Sequence, residues 1–385
     1  MKKVIVILIV VLSGLFLCKE ISNRNTISIG VITTLSGEES SLGISVLNGI
    51  AMAAEEFNKD KKFYEKKVIL TIKDDKNDFE ESKKSAEELI DAGVVAILGP
   101  ALSEAGIAVS EVGNKREKLI ISPTVATKKL SGKDDYFIRV TPSVDRNAVS
   151  LAEVSRDYMG MKKILLIYNE KNLAYTESFK DKYIEKFTEN SNYENFVYIK
   201  KSSEKIASYF TKIKDEIDGV VIIASPIDTA EITQKIKKIK RDIKILASDW
   251  AYHQNFITYG GKYAEGVYIA VNYDDAYFKK EKGYLDERFK NFKKNYINKF
   301  KEDPNNGSLN GYESFNILVY AIRRNKGNSE NLKREVLSTE SEKYFLQPGK
   351  FDKYGDCERD TFVFQVKNKK FKRWNFRKTE ISGKI

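Results

Sequence analysis

From Thr26 onward the chain alternates short runs of apolar strand formers with segments whose apolar residues recur at helical spacing. ISIGVIT (27–33) reads as a strand, and Ile44, Leu47, Ala51, Ala54 and Phe57 then mark one face of a helix. KVILTI, a helix through EESKKSAEELIDA, VVAILG, a helix through EAGIAVSEVGNK, and KLIIS continue the series. This βαβαβαβ order predicts a parallel sheet with helices on both faces. After DDYFIRVTPS the grammar restarts with KKILLIY, YTESFKDKYIEKF, NFVYI, IASYFTKIKDEI, GVVIIAS, AEITQKIKKIK, IKILAS and GVYIA, a second α/β lobe of similar size. A long helical section follows (GYLDERFKNFKKNYINKF and LNGYESFNILVYAI), and DTFVFQVKNKKFKRW predicts a closing hairpin that turns at Asn368. The expected fold is α/β, with two doubly wound parallel-sheet lobes in series and a cleft between them.

Length agrees with this: 385 residues suit two lobes of roughly 150 residues, each large enough for its own core. Apolar residues at 42% and charged ones at 31% describe a globular chain with a wet surface and exclude collagen-like, coiled-coil and multi-span classes. The amino end departs from the rest. MKK precedes a charge-free run from Val4 to Cys18, too short for the roughly 20 residues of a membrane-spanning helix and patterned like an export signal. Of the two cysteines, Cys18 ends that run and Cys357 is left unpaired, an isolated thiol in a turn, so no disulfide framework is expected. The net charge of +11 is concentrated near the carboxyl end, where eight Lys or Arg and one Glu follow from Lys367. In an exported protein this predicts a solvated surface or weak attraction to anionic lipid, and no nucleic-acid partner.

Open α/β sheets gather ligands at the carboxyl ends of their strands, and the loops there carry unusual residues. TTLSGEESSLG follows the first strand. GPALSEAG follows the third, where Pro100 stops the strand, Leu102 and Ser103 open a helix, and the free N–H groups of that helix offer an anion site. SPTVAT follows the fourth and could present the hydroxyls of Ser122, Thr124 and Thr127. In the second lobe ASDWAYH sets Asp249 beside Trp250. On opposite walls of one cleft these groups suit a zwitterion: helix-end N–H groups and Ser103 for a carboxylate, Asp249 and the oxygens near Thr124 for an ammonium. Catalysis is not expected, because His253 is the single histidine and neither G-x-S-x-G, H-E-x-x-H nor a P-loop occurs. The acids of DDKND (74–78) lack EF-hand spacing and read as a polar loop, so no metal and no cofactor are expected.

IGVITTLSG with LGISVLNGIAMAAEEFN, AILGPALSEAG, LIISPTVATKKLSGKDDYFIRVTPS, LAYTESF and YAEGVY together resemble the type I periplasmic binding proteins of the Leu/Ile/Val-binding family, over nearly the whole chain after residue 25. These are substrate-binding components of ABC transporters. The resemblance implies two lobes joined by three hinge strands: residues 1–25 as export signal and tether, 26–145 with 273–346 as one lobe, and 146–272 with 347–385 as the other. It implies a monomer that closes on an amino acid and delivers it to an ABC permease. By position, Ser103 matches the side chain that binds the ligand carboxylate, Thr124 a residue whose backbone contacts the ligand, and Asp249 the acid that receives the ammonium. Tyr175 matches an aromatic on the facing wall, Leu42 a position against the ligand side chain, and Tyr312 a further wall residue. The family's head-group hydroxyl three residues after the proline is replaced by Ala126, and Thr127 stands next to it. Leu42, Tyr175, Trp250 and Tyr312 lean toward a branched or aromatic side chain. Cys18 resembles the lipidated cysteine of bacterial lipoproteins, with Leu15 in place; Leu17 stands where a small residue is usual, which leaves an uncleaved anchor or release after some other cleavage as the alternatives. Relatives also bind short amides, urea and aromatic acids, and a lipoprotein reporting ligand to a separate receptor is the other reading.

Overall fold

The computed structural model describes residues 26–60, 66–189, 196–200, 206–274, 284–325, 331–338 and 341–374. Five strands, β1 (Thr26–Thr33), β2 (Lys67–Asp74), β3 (Ile97–Leu98), β4 (Ile120–Ser122) and β5 (Phe137–Arg139), form a wholly parallel sheet in the order β2-β1-β3-β4-β5. The connections between its first four strands are α1 (Ser40–Lys59), α2 (Phe79–Asp91) and α3 (Ser103–Lys115). The two-residue period of a strand sends neighbouring side chains to opposite faces. Thus Ile27, Ile29 and Val31 join the core under α1, while Ile32 joins Leu89, Val109 and Val112 under α2 and α3.

After α4 (Asp145–Glu153) the second sheet begins. Its strands are β6 (Ile164–Tyr168), β7 (Phe196–Lys200), β8 (Gly219–Ile223), β9 (Lys244–Ala247) and β10 (Tyr268–Val271), all parallel, with α5 (Leu173–Thr188), α6 (Ile206–Ile213), α7 (Pro226–Ile239) and α8 (Gln254–Gly260) between them. Leu165, Ile167, Val220 and Ile222 bury on one face and Ile164, Leu166, Val221 and Ile223 on the other. Helices α9 (Tyr284–Phe300), α10 (Asn306–Arg324) and α11 (Leu332–Val336) follow. The strand pair β11 (Lys350–Phe351) and β12 (Cys357–Glu358) comes next, then β13 (Phe362–Val366) and β14 (Phe371–Arg373). The hairpin expected at Asn368 is present: Asn368 and Lys369 both have positive φ, at 56° and 57°, and Lys367 and Lys370 exchange backbone hydrogen bonds. It adds two antiparallel strands to the parallel sheet, giving β14-β13-β10-β9-β8-β6-β7.

Helix α10 returns to the first sheet and lies against α1. Gly49 and Gly311 permit the close crossing, because a Cβ on Gly49 would stand 2.0 Å from the Ser308 carbonyl oxygen and one on Gly311 2.3 Å from that of Val46. The amino ends of both helices thereby face the other body, which brings Leu42 and Asn306 to a common cavity.

Among the described residues, the backbone passes between the two sheets' bodies at 140–144 after β5 and between Gln347 and Thr361. Phe351 and Cys357 in the last of these still pack on the first core, and only Phe362 onward joins the second sheet. Here Glu313 of α10 and Arg359 form an ion pair from which solvent is wholly excluded. Glu313 also accepts the N–H groups of Leu346 (2.6 Å) and Gln347 (3.0 Å), and Arg359 donates to Asn310 Oδ1 at 2.9 Å. Asn310 in turn donates to the Pro123 carbonyl at 3.0 Å, and Gln347 to the Asn272 carbonyl at 3.0 Å. Burial pushes the neighbouring Cys357 thiol up to about 11, so it is un-ionised at neutral pH. Removing one partner of such a pair leaves the other charge buried and uncompensated, at a cost of about 3–5 kcal/mol. Arg359→Met is therefore expected to lower the unfolding free energy by about that amount in urea denaturation, and a change below about 1 kcal/mol would show that Glu313 finds another cation.

Candidate ligand-binding cleft

A cavity lies between the carboxyl-end loops of the two sheets. Leu42, Ala101, Leu102, Ser103, Thr124, Thr141 and Asn306 line it from the first body, and Asn172, Tyr175, Asp249 and Trp250 from the second. Ser103 is the first residue of α3, and its Oγ accepts the Ala126 N–H at 3.3 Å. Asn172 Oδ1 reaches from the other body to the Glu104 N–H at 3.2 Å, so the amino end of α3 already holds one acceptor across the cleft. Thr124 donates to the Ala101 carbonyl at 2.8 Å.

Asp249 begins a helical turn after β9, and Tyr175, near the start of α5, donates its hydroxyl to Asp249 Oδ1 at 2.6 Å. Burial pushes the Asp249 carboxyl above its ordinary value of 3.8, although hydrogen bonds from Tyr175 and Asn147 work against the shift. The Tyr175 hydroxyl is pushed up in turn by burial and by the adjacent carboxylate, which keeps it protonated as a donor. Trp250 packs edge-on against Tyr175, ring centres 5.6 Å apart. The lining holds one carboxylate and no lysine or arginine.

Around the cavity the bodies meet through side chains. Asn169 donates to Glu39 Oε1 at 3.1 Å, Asn255 to Ser41 Oγ at 3.0 Å, and Ala174 N–H to Glu104 Oε2 at 3.0 Å; Lys171 pairs with Glu38 at 2.5 Å. His253 lies at this rim, with Nδ1 accepting the Asn255 N–H at 3.0 Å and Nε2 3.4 Å from Ser45 Oγ. Burial lowers its pKa to about 4, so it is neutral at pH 7. The two bodies are thus in direct contact around the cavity.

The chain belongs to the periplasmic binding protein family. The family model matches residues 26–371. A Leu/Ile/Val-binding protein, BraC3 of Rhizobium johnstonii, is 25% identical over 255 residues, covering 65% of this chain and 68% of that protein. In fold the chain is similar to the leucine binding protein LivK of Thermotoga maritima (TM-score 0.81, 21% identity, 91% of this chain and 98% of that one). It is likewise similar to a solute binding protein of R. palustris in complex with benzoate (TM-score 0.76, 12% identity, 90% and 95%). The first two are named for binding Leu/Ile/Val and leucine, and the third as the solute binding protein of an ABC transporter.

For this binding protein, seven of the residues singled out from sequence come together at the cavity: Leu42, Leu102, Ser103, Thr124, Tyr175, Asp249 and Trp250. Three do not line it. Ala126 is buried among Leu102, Val144 and Ala148. Thr127 does not supply the hydroxyl that Ala126 lacks, because its Oγ1 accepts the Lys129 N–H and faces Ser178 Oγ at 3.1 Å, while Arg139 holds its carbonyl at 2.9 Å. Tyr312 turns away along α10, where it packs at a tilt against Phe292 and donates to Glu56 at 2.7 Å. Sequence reasoning missed Ala101, Thr141, Asn172 and Asn306. The first two sit in the GPALS and RVTPS loops already marked, and the two asparagines stand at helix starts, a position that capping explains equally well.

The acids of residues 74–78 serve the fold: Asp75 accepts from Thr34 (2.7 Å) and the Asn77 N–H (2.9 Å), and Asp78 caps α2 through the Glu81 N–H at 2.7 Å. Among the described residues no group of three or more His, Cys, Asp or Glu is placed to hold a metal ion, and no helix is long and apolar enough to cross a membrane. Cys18 and the end of the basic tail from residue 375 lie outside the described residues.

A hydrogen bond to a buried charge contributes about 1.5–3 kcal/mol. Tyr175→Phe is accordingly expected to reduce stability by about that amount at neutral pH and to raise the Asp249 midpoint further, since the lost bond favoured the anion. Urea unfolding and a carboxyl-carbon NMR titration would measure both; an unmoved midpoint would show that Tyr175 does not tune the acid.

Proposed function

We propose that this protein captures an amino acid in the interlobe cavity and delivers it to an ABC permease, as an exported protein held at the membrane through Cys18. The observation that carries this reading is the charge of the lining: Asp249 is the one carboxylate, it is buried, and no basic side chain accompanies it. An ammonium group matches that acid. A carboxylate is then left to the neutral donors opposite, Ser103 and the amino end of α3, where backbone N–H groups and the helix dipole favour an anion. An aromatic acid such as the benzoate held by the R. palustris protein fits less well, because it would bring an anion toward Asp249 without a cation to compensate. In this reading the lobes divide near residues 145 and 272 and again within 347–361, and closure is a hinge motion of the passages between them.

A thermal-shift screen of the purified full-length protein against amino acids, short amides, urea and aromatic acids tests the ligand class. A ligand at one hundred times its dissociation constant is expected to add about 2.7 kcal/mol of stability, and a shift confined to aromatic acids or amides would refute the amino acid. Asp249→Asn is expected to weaken binding by about 2–5 kcal/mol, the cost of a charged partner left unpaired in a buried site. Loss of labelled-ligand uptake on deleting the protein from its host would support delivery to a permease, and unchanged uptake would favour a sensor that reports to a separate receptor.

The acid also sets a pH dependence. With its pKa raised above 3.8, the closed ligand-free form gains stability as Asp249 protonates and loses it as pH rises through that pKa. Binding an ammonium needs the anion, so affinity is full above the raised pKa and declines as pH falls through it. Calorimetry from neutral pH downward should show that decline for the native protein and a flatter profile for Asp249→Asn; identical profiles would remove Asp249 from recognition.

A further inference from the structure

We infer that the cleft is built for an amino acid with a short, hydrogen-bonding side chain, of the serine, threonine or asparagine class, and not for a branched aliphatic one. This rests on the amino-acid reading above and goes beyond it. Tyr312, one of the residues that leaned toward a branched or aromatic ligand, is not part of the cavity.

Space comes first. About 30 Å³ of the cavity is open to the centre of a water-sized body, room for a water or two by the ~10–15 Å³ each requires, so any amino acid must part the walls on entry and each added carbon parts them further. Its walls are fixed from behind. The Trp250 indole is backed by Tyr175, and Leu42 abuts Gly307, where an added Cβ would come within 2.9 Å of Leu42 Cδ1. Further carbons on the ligand therefore meet packed rings and helix backbone.

Polarity comes second. Two lining residues hold polar atoms that are shielded from solvent and have no hydrogen-bond partner among the described residues: Trp250 Nε1, a donor, and Asn306 Oδ1, an acceptor. Trp250 is 7% exposed. An aliphatic side chain would seal both atoms in without partners, the most costly state for a buried polar group. A hydroxyl offers one donor and two acceptor positions, and a primary amide offers both kinds, so either class can answer an N–H and a C=O. The Thr141 hydroxyl in the same lining adds a further polar contact.

The test compares near-isosteric ligands, L-threonine and L-valine, together with serine, asparagine, leucine and isoleucine, by calorimetry on the purified full-length protein. Threonine, serine or asparagine is expected to bind at least tenfold more tightly than valine, and leucine more weakly still. Trp250→Phe, which removes the N–H and keeps a ring, and Asn306→Ala should each bring the polar-to-valine ratio below about threefold. Valine, leucine or isoleucine binding as tightly as the polar set would overturn this inference and leave the amino-acid reading intact. A ratio unmoved by either variant would overturn it as well, and silence from every amino acid would overturn both.

Discussion

The buried ion pair between Glu313 and Arg359 is the constraint on which the geometry of this protein turns. It sits where the last segment of chain leaves the first body for the second, and its oxygens hold the backbone N–H groups of Leu346 and Gln347. Through Asn310 the pair reaches the carbonyl of Pro123, one residue before Thr124. Helix α10, the interbody passage and the ligand loop are therefore fixed relative to one another by one desolvated network. Such a network is worth little as raw stability, because desolvating two charges offsets most of their attraction. Its consequence is positional: Asn306 at the start of α10 and Thr124 in its loop cannot drift apart without breaking the buried Asn310–Pro123 hydrogen bond.

A second constraint works on the same wall. Arg139, buried in β5, holds the carbonyl of Thr127 and pairs with Asp356 at 2.7 Å. Together the two arginines pin both ends of the SPTVAT loop. The hydroxyls of that loop turn mostly inward: Ser122 donates to the Pro100 carbonyl and accepts the Val125 N–H, and Thr124 donates to the Ala101 carbonyl. A loop that follows a parallel strand loses its ladder partners, and these side chains replace them. What such a scaffold presents to a ligand is a rigid edge of backbone and unused lone pairs.

Closure then depends on contacts of moderate strength. Apart from Lys171 with Glu38, the rim contacts at Asn169, Asn255, Ala174 and His253 each join at least one neutral group, and each is a contribution of about 1 kcal/mol or a little more. A set of this kind steadies a closed form without locking it. In the proposed reading, a ligand that touches both walls, with Asp249 on one and Ser103 on the other, would supply the differential contact that shifts the population.

Much of this was legible in the sequence. The βαβ alternation fixed two parallel sheets because strands buried on both faces must be apolar at every position, and the loop signatures GPALS, SPT and ASDW marked the carboxyl ends where the cavity lies. Seven residues from those loops and from α1 and α5 do meet at the cavity. The direction of individual side chains was not legible. Whether Tyr312, Thr127 or Asn306 faces the cleft depends on how α10 crosses α1 and on which carbonyl Arg139 holds, and those partners lie far apart in the chain. Local pattern determines which elements form and where their ends fall; packing between distant elements decides which polar atoms are left to meet a ligand, because each buried donor or acceptor is first claimed by whatever the fold brings beside it.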